Sequence, residues 1–469
     1  MNPKYVNIVI VTYNRLQYTQ KSIASIVDNT VFPYVLTVVD NGSADGTQAW
    51  LRKQKRRGII KNLILHPENK GYAYAANDGW EAEDSDYYVK VDNDIIIQKK
   101  GWLSDMIEVI DNCPEVGAIA YNFEQDSYPI TKIGGYKLRV KVGNLGGCCV
   151  LIPKRTYQLL GYWCEEYGLY GEEDGDYGFR IKLAGLLNCY MEDENIGLHL
   201  PDGRAAIIDD ALNIISSEDE RYKTFKNEQR KLAVKRVAVN FEAYRIGLRP
   251  LYMNRGQLQL PEHPNLKIAA LLYEGDLFLR RKNYKEAIEL FDQAISFDIK
   301  DKELRARIFF QKGRAYFNQK KYQEALLEYK NALALSLNDN LKPELFLCIG
   351  TIYSQQGKFS EAEKEPKKAL SLEPFNKDLV ISVHYAMGSN YERQGRLSKA
   401  IEKFEYVISN EFSFISDINK FKSGSHFHLG CIYKKLEEKE KAKHHFKECL
   451  RFIPNHKKAK EYLEVASNE

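Results

Sequence analysis

The sequence has no long hydrophobic run. Its first apolar segment, Val6-Asn7-Ile8-Val9-Ile10-Val11, is too short for a signal-peptide core and lacks a small-residue cleavage site after it. No later stretch reaches the roughly 18 continuous apolar residues that a membrane-spanning helix needs. The chain therefore reads as cytoplasmic, with contact to a membrane left to protein partners. Charge of one sign is missing too. Against 68 Lys and Arg stand 64 Asp and Glu, a formal net charge of +4. That balance gives nucleic acid no electrostatic claim as the main partner. The basic run Lys53 to Arg57 reads as a solvated helix face. Eight cysteines are present without pattern, Cys148 and Cys149 being adjacent, so neither a disulfide scaffold nor a zinc site is indicated.

What is present is a balance of 44% hydrophobic and 28% charged residues, the composition of a folded globular chain. At 469 residues it exceeds one ordinary core, and two or three domains are expected. The first half alternates β-rich runs (Val6 to Thr12, Val35 to Asp40, Ile59 to Leu65, Tyr87 to Val91) with helical stretches (Leu16 to Asp28, Gly46 to Gln54, Tyr72 to Glu81). Such alternation predicts βαβ units and a mostly parallel, Rossmann-like α/β sheet. Ligands of these sheets gather at the carboxyl ends of the strands. Polar clusters fall there: Thr12-Tyr13-Asn14-Arg15, Asp40-Asn41-Gly42-Ser43 and Asp92-Asn93-Asp94. Three clusters at the ends of strands in one sheet predict one site.

From about Asn265 the strand signal disappears and a helix pair recurs. An apolar residue is followed by Gly three positions on, an aromatic three further, and Ala twelve after the Gly. The copies are Leu272-Gly275-Phe278-Ala287, Phe310-Gly313-Tyr316-Ala325, Leu347-Gly350-Tyr353-Ala362, Tyr385-Gly388-Tyr391-Ala400 and Phe427-Gly430-Tyr433-Ala442. Small residues at those places let two helices approach closely. The pattern resembles the tetratricopeptide repeat, and implies an all-α solenoid of five helix pairs with a capping helix from Asn455 to Ala466. Two departures stand out. Pro366 occupies the place of Phe291, Tyr329, Phe404 and Phe446, and is expected to kink or shorten its helix. Lys439 replaces Tyr284, Tyr322, Phe359 and Leu397, as in a solvent-facing terminal repeat. The predicted organisation is an α/β domain over 1–210, connecting helices and a Pro- and Gly-bearing linker over 211–264, and repeats over 265–469.

Chemistry concentrates in the first half. Tyr87-Tyr88-Val89-Lys90-Val91-Asp92-Asn93-Asp94 is a strand that ends in two carboxylates, an arrangement able to present oxygen to a hard divalent cation. Alone it is an ordinary strand end or turn. Together with Asn7 to Arg15, Val38 to Thr47 and Asn69-Lys70-Gly71-Tyr72-Ala73-Tyr74-Ala75-Ala76-Asn77, it resembles family 2 glycosyltransferases of the GT-A fold, in their order. The resemblance implies a donor side of Thr12, Tyr13, Asn14, Arg15, Asp40, Asn69, Gly71, Asn77, Asp92 and Asn93. Asp40 would contact the nucleoside, and Asn41-Gly42 and Asn69 can equally be turn-formers. It implies Mn²⁺ or Mg²⁺ on Asp94, with Asp92 nearer the ribose and His199 as a third ligand. Gly143 to Arg155, including Gly146 and Gly147, resembles the acceptor-side approach. Gly171 to Arg180 resembles the Glu-Asp motif that opens a helix and carries the base. Asp174 aligns with that base, Glu173 is the alternative, and Asp176 is read as structural. A carboxylate at a helix N-terminus is held ionised by the dipole and can accept a proton.

The expected activity is inverting transfer of a sugar from a nucleoside diphosphate sugar, with UDP-N-acetylglucosamine or UDP-glucose as family-weighted donors. The repeats suggest a protein acceptor, and bacterial transferases acting on flagellin resemble this architecture. Two other readings remain: a cell-surface polysaccharide transferase whose repeats recruit partners, and a non-enzymatic sugar-nucleotide sensor with an adaptor domain. The concave repeat face can also pair two copies of the chain.

Overall fold

The computed structural model describes residues 4–465 except 122–129, 142–147, 170, 192–195, 201–206, 209–213, 216–219, 257, 337–340, 373–376, 411–417 and 454. The chain forms two compact units, Met1–Ala270 and Leu271–Glu469.

In the first unit the strands are β1 (Val6–Thr12), β2 (Tyr34–Asp40), β3 (Asn62–Leu65), β4 (Tyr87–Asp92), β5 (Ile95–Ile97), β6 (Val116–Tyr121), β7 (Ile130–Ile133), β8 (Tyr136–Lys141), β9 (Cys149–Pro153), β10 (Leu187–Met191), β11 (Gly197–His199), β12 (Ile207–Ile208) and β13 (Ile214–Ile215). The helices are α1 (Leu16–Asn29), α2 (Thr47–Arg56), α3 (Tyr72–Glu81), α4 (Trp102–Asn112), α5 (Lys154–Leu160), α6 (Glu173–Leu183) and α7 (Glu220–Arg245). Nine strands form one sheet in the order β3-β2-β1-β4-β9-β6-β10-β8-β7. All strands but β8 and β9 run in one direction, so the sheet is mixed but mostly parallel.

The alternation of β1 explains the two layers. Val6, Ile8 and Ile10 enter one core with Ile23 and Ile26 of α1, Leu51 of α2 and Trp102 and Met106 of α4. Val9 and Val11 enter the other with Ala73, Ala76 and Trp80 of α3 and Tyr177 and Ile181 of α6. Successive side chains of a strand point to opposite faces, and every residue of β1 is buried. A strand covered on both faces is mostly apolar, which accounts for its run of Val and Ile, while the buried Asn7 side chain donates to Gly79 O and accepts from Thr37 Oγ1.

The stretch read as connecting helices and linker, 211–264, joins this unit's core from Ala233 onward. Ala233, Val237, Tyr244 and Met253 pack with Cys164 and Tyr167. Arg249 pairs with Glu166 at 2.9 Å, both buried. The Met253 N–H donates to Leu160 O at 2.8 Å and Met253 O accepts from Tyr162 N–H at 3.0 Å. Gly161 is fitted to that contact, since a Cβ there would lie 2.2 Å from Met253 O. Composition alone showed none of these long-range pairings.

The second unit is built of helix pairs: α8 (Pro264–Arg280, most of it in this unit) with α9 (Tyr284–Ile295), α10 (Lys302–Asn318) with α11 (Tyr322–Leu335), α12 (Lys342–Gln355) with α13 (Phe359–Leu372), α14 (Lys377–Arg393) with α15 (Leu397–Ser409), and α16 (Ile418–Lys435) with α17 (Lys439–Phe452), followed by α18 (Lys457–Val465). The recurring glycine has a direct cause. A Cβ on Gly275, Gly313, Gly388 or Gly430 would lie 2.4–2.9 Å from the ring of Phe291, Tyr329, Phe404 or Phe446 respectively. In the third pair the Pro366 ring takes that place, 2.8 Å from a Cβ on Gly350. The expected shortening at Pro366 does not occur: α13 spans 14 residues, as many as α11. The proline fills the space that an aromatic fills elsewhere.

A groove of about 740 Å³ runs within this unit, lined by Phe317, Leu347, Tyr385, Glu392, Arg393 and His428 among others. His428 Nδ1 lies 2.7 Å from Glu392 Oε2 and its ring stacks on Phe404. In the last pair His426 Nδ1 lies 3.0 Å from His445 Nδ1. One proton serves that contact, so both rings cannot be charged without breaking it. Burial holds both imidazoles down, to about 4, and neighbouring histidines add to the effect. Their folded values lie below the unfolded one, so their contribution to stability is present above ordinary imidazole pH and is lost as pH falls toward 4. Thermal unfolding of the full chain should show the repeat unit weakened by about 1–3 kcal/mol between pH 7.5 and 5. His445→Gln should shrink that difference, and a melting profile with no pH dependence in the wild type would contradict the assignment.

Candidate active site

Parallel register brings the polar strand ends together. Thr12 pairs with Asp40 across β1 and β2, and Val11 pairs with Asp92 across β1 and β4. The three clusters therefore share one edge of the sheet. Asp40 is fully buried. Its Oδ2 accepts from Gly42 N–H (3.2 Å), Ser43 N–H (2.9 Å) and Gln48 Nε2 (2.8 Å), while its Oδ1 is buried and accepts no hydrogen bond. One oxygen thus shapes the turn and the other remains for a ligand. Asn14 sits at φ 48°, a conformation that Asn tolerates better than most residues. It is held there by Ser43 Oγ, which accepts from its N–H, and by Ala44 N–H, which donates to its Oδ1 at 2.7 Å. Its Nδ2 is buried without an acceptor.

Other predicted donor-side residues serve the scaffold. Thr12 Oγ1 meets Thr19 Oγ1 at 2.6 Å, and Asn93 Nδ2 donates to both hydroxyls at 3.1 and 3.2 Å. This ties the turn after β4 to β1 and α1. Asn77 is fully buried, exchanging two hydrogen bonds of 2.9 Å with the Trp163 backbone and donating to Glu165. Asn69 Oδ1 accepts from Gly71 N–H and from Asn41 Nδ2, forming a turn. Gly71, at φ +92°, has to be glycine, because a Cβ would lie 2.3 Å from Gly168 O. Tyr13 is half-buried beside these turns.

Arg15, Asp94 and His199 converge. Arg15 Nη1 donates to Asp94 Oδ2 at 2.8 Å. β11 pairs antiparallel with β5, placing His199 opposite Ile95, and His199 Nε2 lies 3.6 Å from Asp94 Oδ1. Burial opposes the Asp94 charge, but His199 and Arg15 outweigh it and hold the carboxyl below its ordinary value. Asp92 responds the other way. Burial pushes it up to about 6, Lys90 opposing and Asp94 reinforcing the rise. Asp92 Oδ1 and Asp94 Oδ1 are both buried and accept no hydrogen bond. Two open carboxylate oxygens with an imidazole beside one of them suit a hard divalent ion. Among the described residues no three His, Cys, Asp or Glu side chains form a ready-made cage. Asp92, Asp94 and His199, the predicted ligand set, are therefore not gathered as a three-ligand group.

The acidic helix closes the other side. Glu173, Asp174 and Asp176 lie in the first turn of α6. Asp176 is fully buried against Arg180 (2.7 Å), Tyr167 Oη (2.8 Å) and Tyr244 Oη (3.1 Å), which makes it structural. Asp174 is partly exposed, with Oδ1 accepting from Gly175 N–H at 2.9 Å. Glu173 is buried and pushed up to about 7, by burial first and then by the Asp174 charge, with Lys90 opposing. Gly146 and Gly147 lie outside the described residues.

Lys90 was missed as a site residue. It stands in the middle of β4 and is 4% exposed, with Nζ 3.6 Å from Asp92 Oδ1 and 4.3 Å from the Tyr72 ring centroid. Burial disfavours its charge, but Asp92, Glu173 and Asp174 together more than compensate. A lysine inside the otherwise apolar Tyr-Tyr-Val-Lys-Val run was the available signal.

Residues 7–149 match Glycosyl transferase family 2. Residues 269–303, 306–339, 344–376 and 423–456 match tetratricopeptide repeats. A human protein named probable polypeptide N-acetylgalactosaminyltransferase 8 is 30% identical over 149 residues, 29% of this chain and 23% of that protein. An uncharacterized glycosyltransferase of Haemophilus influenzae is 24% identical over 123 residues, 26% of this chain and 38% of that protein. The chain thus spans well under half the length of either relative. Among solved structures, a Pyrobaculum calidifontis mannosyltransferase in complex with GDP-mannose and Mn²⁺ aligns with 72% of this chain and 88% of its own, at 15% identity and a TM-score of 0.37.

Proposed function

We propose that this chain, whose first domain belongs to glycosyl transferase family 2 and whose second is built of tetratricopeptide repeats, transfers a sugar from a nucleoside diphosphate sugar to a protein acceptor. The observation that carries the reading is the meeting of Asp40, Asp92 and Asp94 on one sheet edge, with Lys90 linking Asp92 electrostatically to Glu173 and Asp174. In this reading the open Asp40 oxygen receives a donor group of the nucleoside. Asp94, with Asp92 and His199, would hold Mn²⁺ or Mg²⁺, which when bound offsets the negative charge of the departing diphosphate. Arg15 fixes the Asp94 carboxylate. Asp174 removes the acceptor proton as the nucleophile attacks the anomeric carbon opposite the nucleotide, inverting that centre. Lys90 balances the buried carboxylates on both sides.

The repeat groove, with both apolar and charged walls, supports docking of a protein segment. A panel of nucleotide sugars, led by UDP-N-acetylglucosamine and UDP-glucose, should reveal metal-dependent hydrolysis. Intact-mass analysis of acceptors, flagellin among them, then reads transfer. A chain ending at Ala270 should keep donor hydrolysis and lose transfer to protein at least about tenfold, the loss of a modest docking energy. Undiminished protein transfer by the shortened chain would remove the docking role.

A further inference from the structure

His66 follows β3 directly and is 5% exposed. Both ring nitrogens have partners: Nε2 lies 2.7 Å from Asp78 Oδ2, and Nδ1 lies 3.0 Å from Asn41 Oδ1. The Asn41 amide is oriented by backbone groups, which cannot flip. Lys70 N–H donates to its Oδ1 at 3.1 Å, and its Nδ2 donates to Gly71 O at 3.1 Å as well as to Asn69 Oδ1 at 2.7 Å. Reversing the amide would set N–H against N–H and oxygen against oxygen. The atom facing His66 Nδ1 is therefore an oxygen. A carboxylate likewise only accepts, and a neutral imidazole carries a single N–H. The alternative, a protonated Asp78 donating to a neutral ring, would place a carboxylic acid against Arg255, whose Nη1 lies 2.7 Å from Asp78 Oδ1.

We infer that His66 is held as an imidazolium that donates to Asp78 and Asn41, and that it is a positioning residue for the Asn69–Gly71 loop. Hydrogen bonds to a charged donor are roughly twice as strong as neutral ones. The charge fixes Asn41, and Asn41 holds all three residues of the loop. The loop has little room elsewhere, since Gly71 abuts Gly168 O and a Cβ on Gly42 would lie 2.8 Å from the Glu68 backbone. Around His66 the charged and titratable groups are few. On α3 they are Asp78 and Tyr74, whose ring is edge-on at 5.9 Å. Arg255 backs Asp78 and is itself paired with Glu81 and Glu165. Lys70 stands over the Tyr74 ring at 4.7 Å. On β2, Asp40 O accepts the His66 N–H at 2.9 Å. That the loop faces the donor rests on the proposed function; the protonation state does not.

The test is a two-bond ¹H–¹⁵N spectrum of the histidine-labelled full chain near pH 7, with the His66 signals identified by their loss in His66→Gln. Both nitrogens should appear in the N–H form, and Asp78→Asn, which leaves His66 in place, should return the ring to one N–H and one bare nitrogen. A bare nitrogen in the wild-type ring overturns the inference. Amide exchange in the peptide spanning 67–77 should be about tenfold faster in His66→Gln, the scale of one lost charge-assisted hydrogen bond, with β1 unchanged. Unaltered protection of that peptide in a folded variant would reject the positioning role. If both nitrogens carry protons but no nucleotide sugar is turned over, the donor reading fails and the imidazolium stands.

Discussion

Asp94→Ala is expected to lower turnover of the donor by about 10³-fold or more, the scale on which an ion or a preorganised charge stabilises a departing group. The residue is the meeting point of three elements. Arg15 from the start of α1 donates to one oxygen, His199 on β11 approaches the other, and that second oxygen accepts no hydrogen bond. Removing the carboxylate also leaves Arg15 without its 2.8 Å partner. Asp94→Asn, which keeps the shape and can still accept one hydrogen bond, separates lost charge from lost packing. Both variants should melt close to the wild type, because the β5–β11 pairing is made by backbone. The measurement is nucleotide release by the purified full chain over a Mn²⁺ titration. A variant that retains wild-type turnover at every metal concentration would end the metal assignment.

The second large effect separates the two acids at the head of α6. Asp174→Asn should reduce transfer by about 10²- to 10⁴-fold, the usual contribution of a positioned base, and raising the pH should not restore it. Glu173 is expected to behave differently. Burial and the neighbouring Asp174 push it up to about 7, so near neutrality it passes from neutral to charged. Once charged, it forms with Asp174 a carboxylate pair able to take up the acceptor's proton. Wild-type turnover should therefore rise as pH increases through about 7. Glu173→Gln fixes the neutral form, so it should cost about tenfold or less and abolish that limb, leaving a low, flat profile between pH 6 and 8. If Glu173→Gln removes activity while Asp174→Asn keeps it, the roles of the two acids are exchanged.

Much of the site was readable because its parts are local. Strand ends appear as apolar runs broken by Asp40 and Asp92. The acidic opening of α6 is contiguous, and the repeat signature recurs at every Gly that must lie under a ring. What could not be read is who touches whom across the chain. Asn77 and Asn93 carry the expected motif positions, yet their amides are spent on Trp163, Glu165, Thr12 and Thr19. Pro366 signals a broken helix by local rules, yet it packs on Gly350 without shortening α13. The stretch 211–264 reads in composition as connecting helices and then a linker, and its long-range ties, Arg249 to Glu166 and Arg255 to Asp78, Glu81 and Glu165, leave no mark in that composition.

The linear sequence was enough to determine the two-part plan, the parallel half of the sheet and the order of its polar strand ends, because periodicity and strand-end chemistry are properties of neighbouring residues. Only tertiary structure decided the protonation and partnership of the groups in between. Lys90, an oddity in one strand, gains its part from three carboxylates brought to it by β4 and α6. His66, silent in the sequence, has both of its ring nitrogens set against oxygen only by folding. Burial and hydrogen bonding set those states, and both depend on residues far apart in the chain.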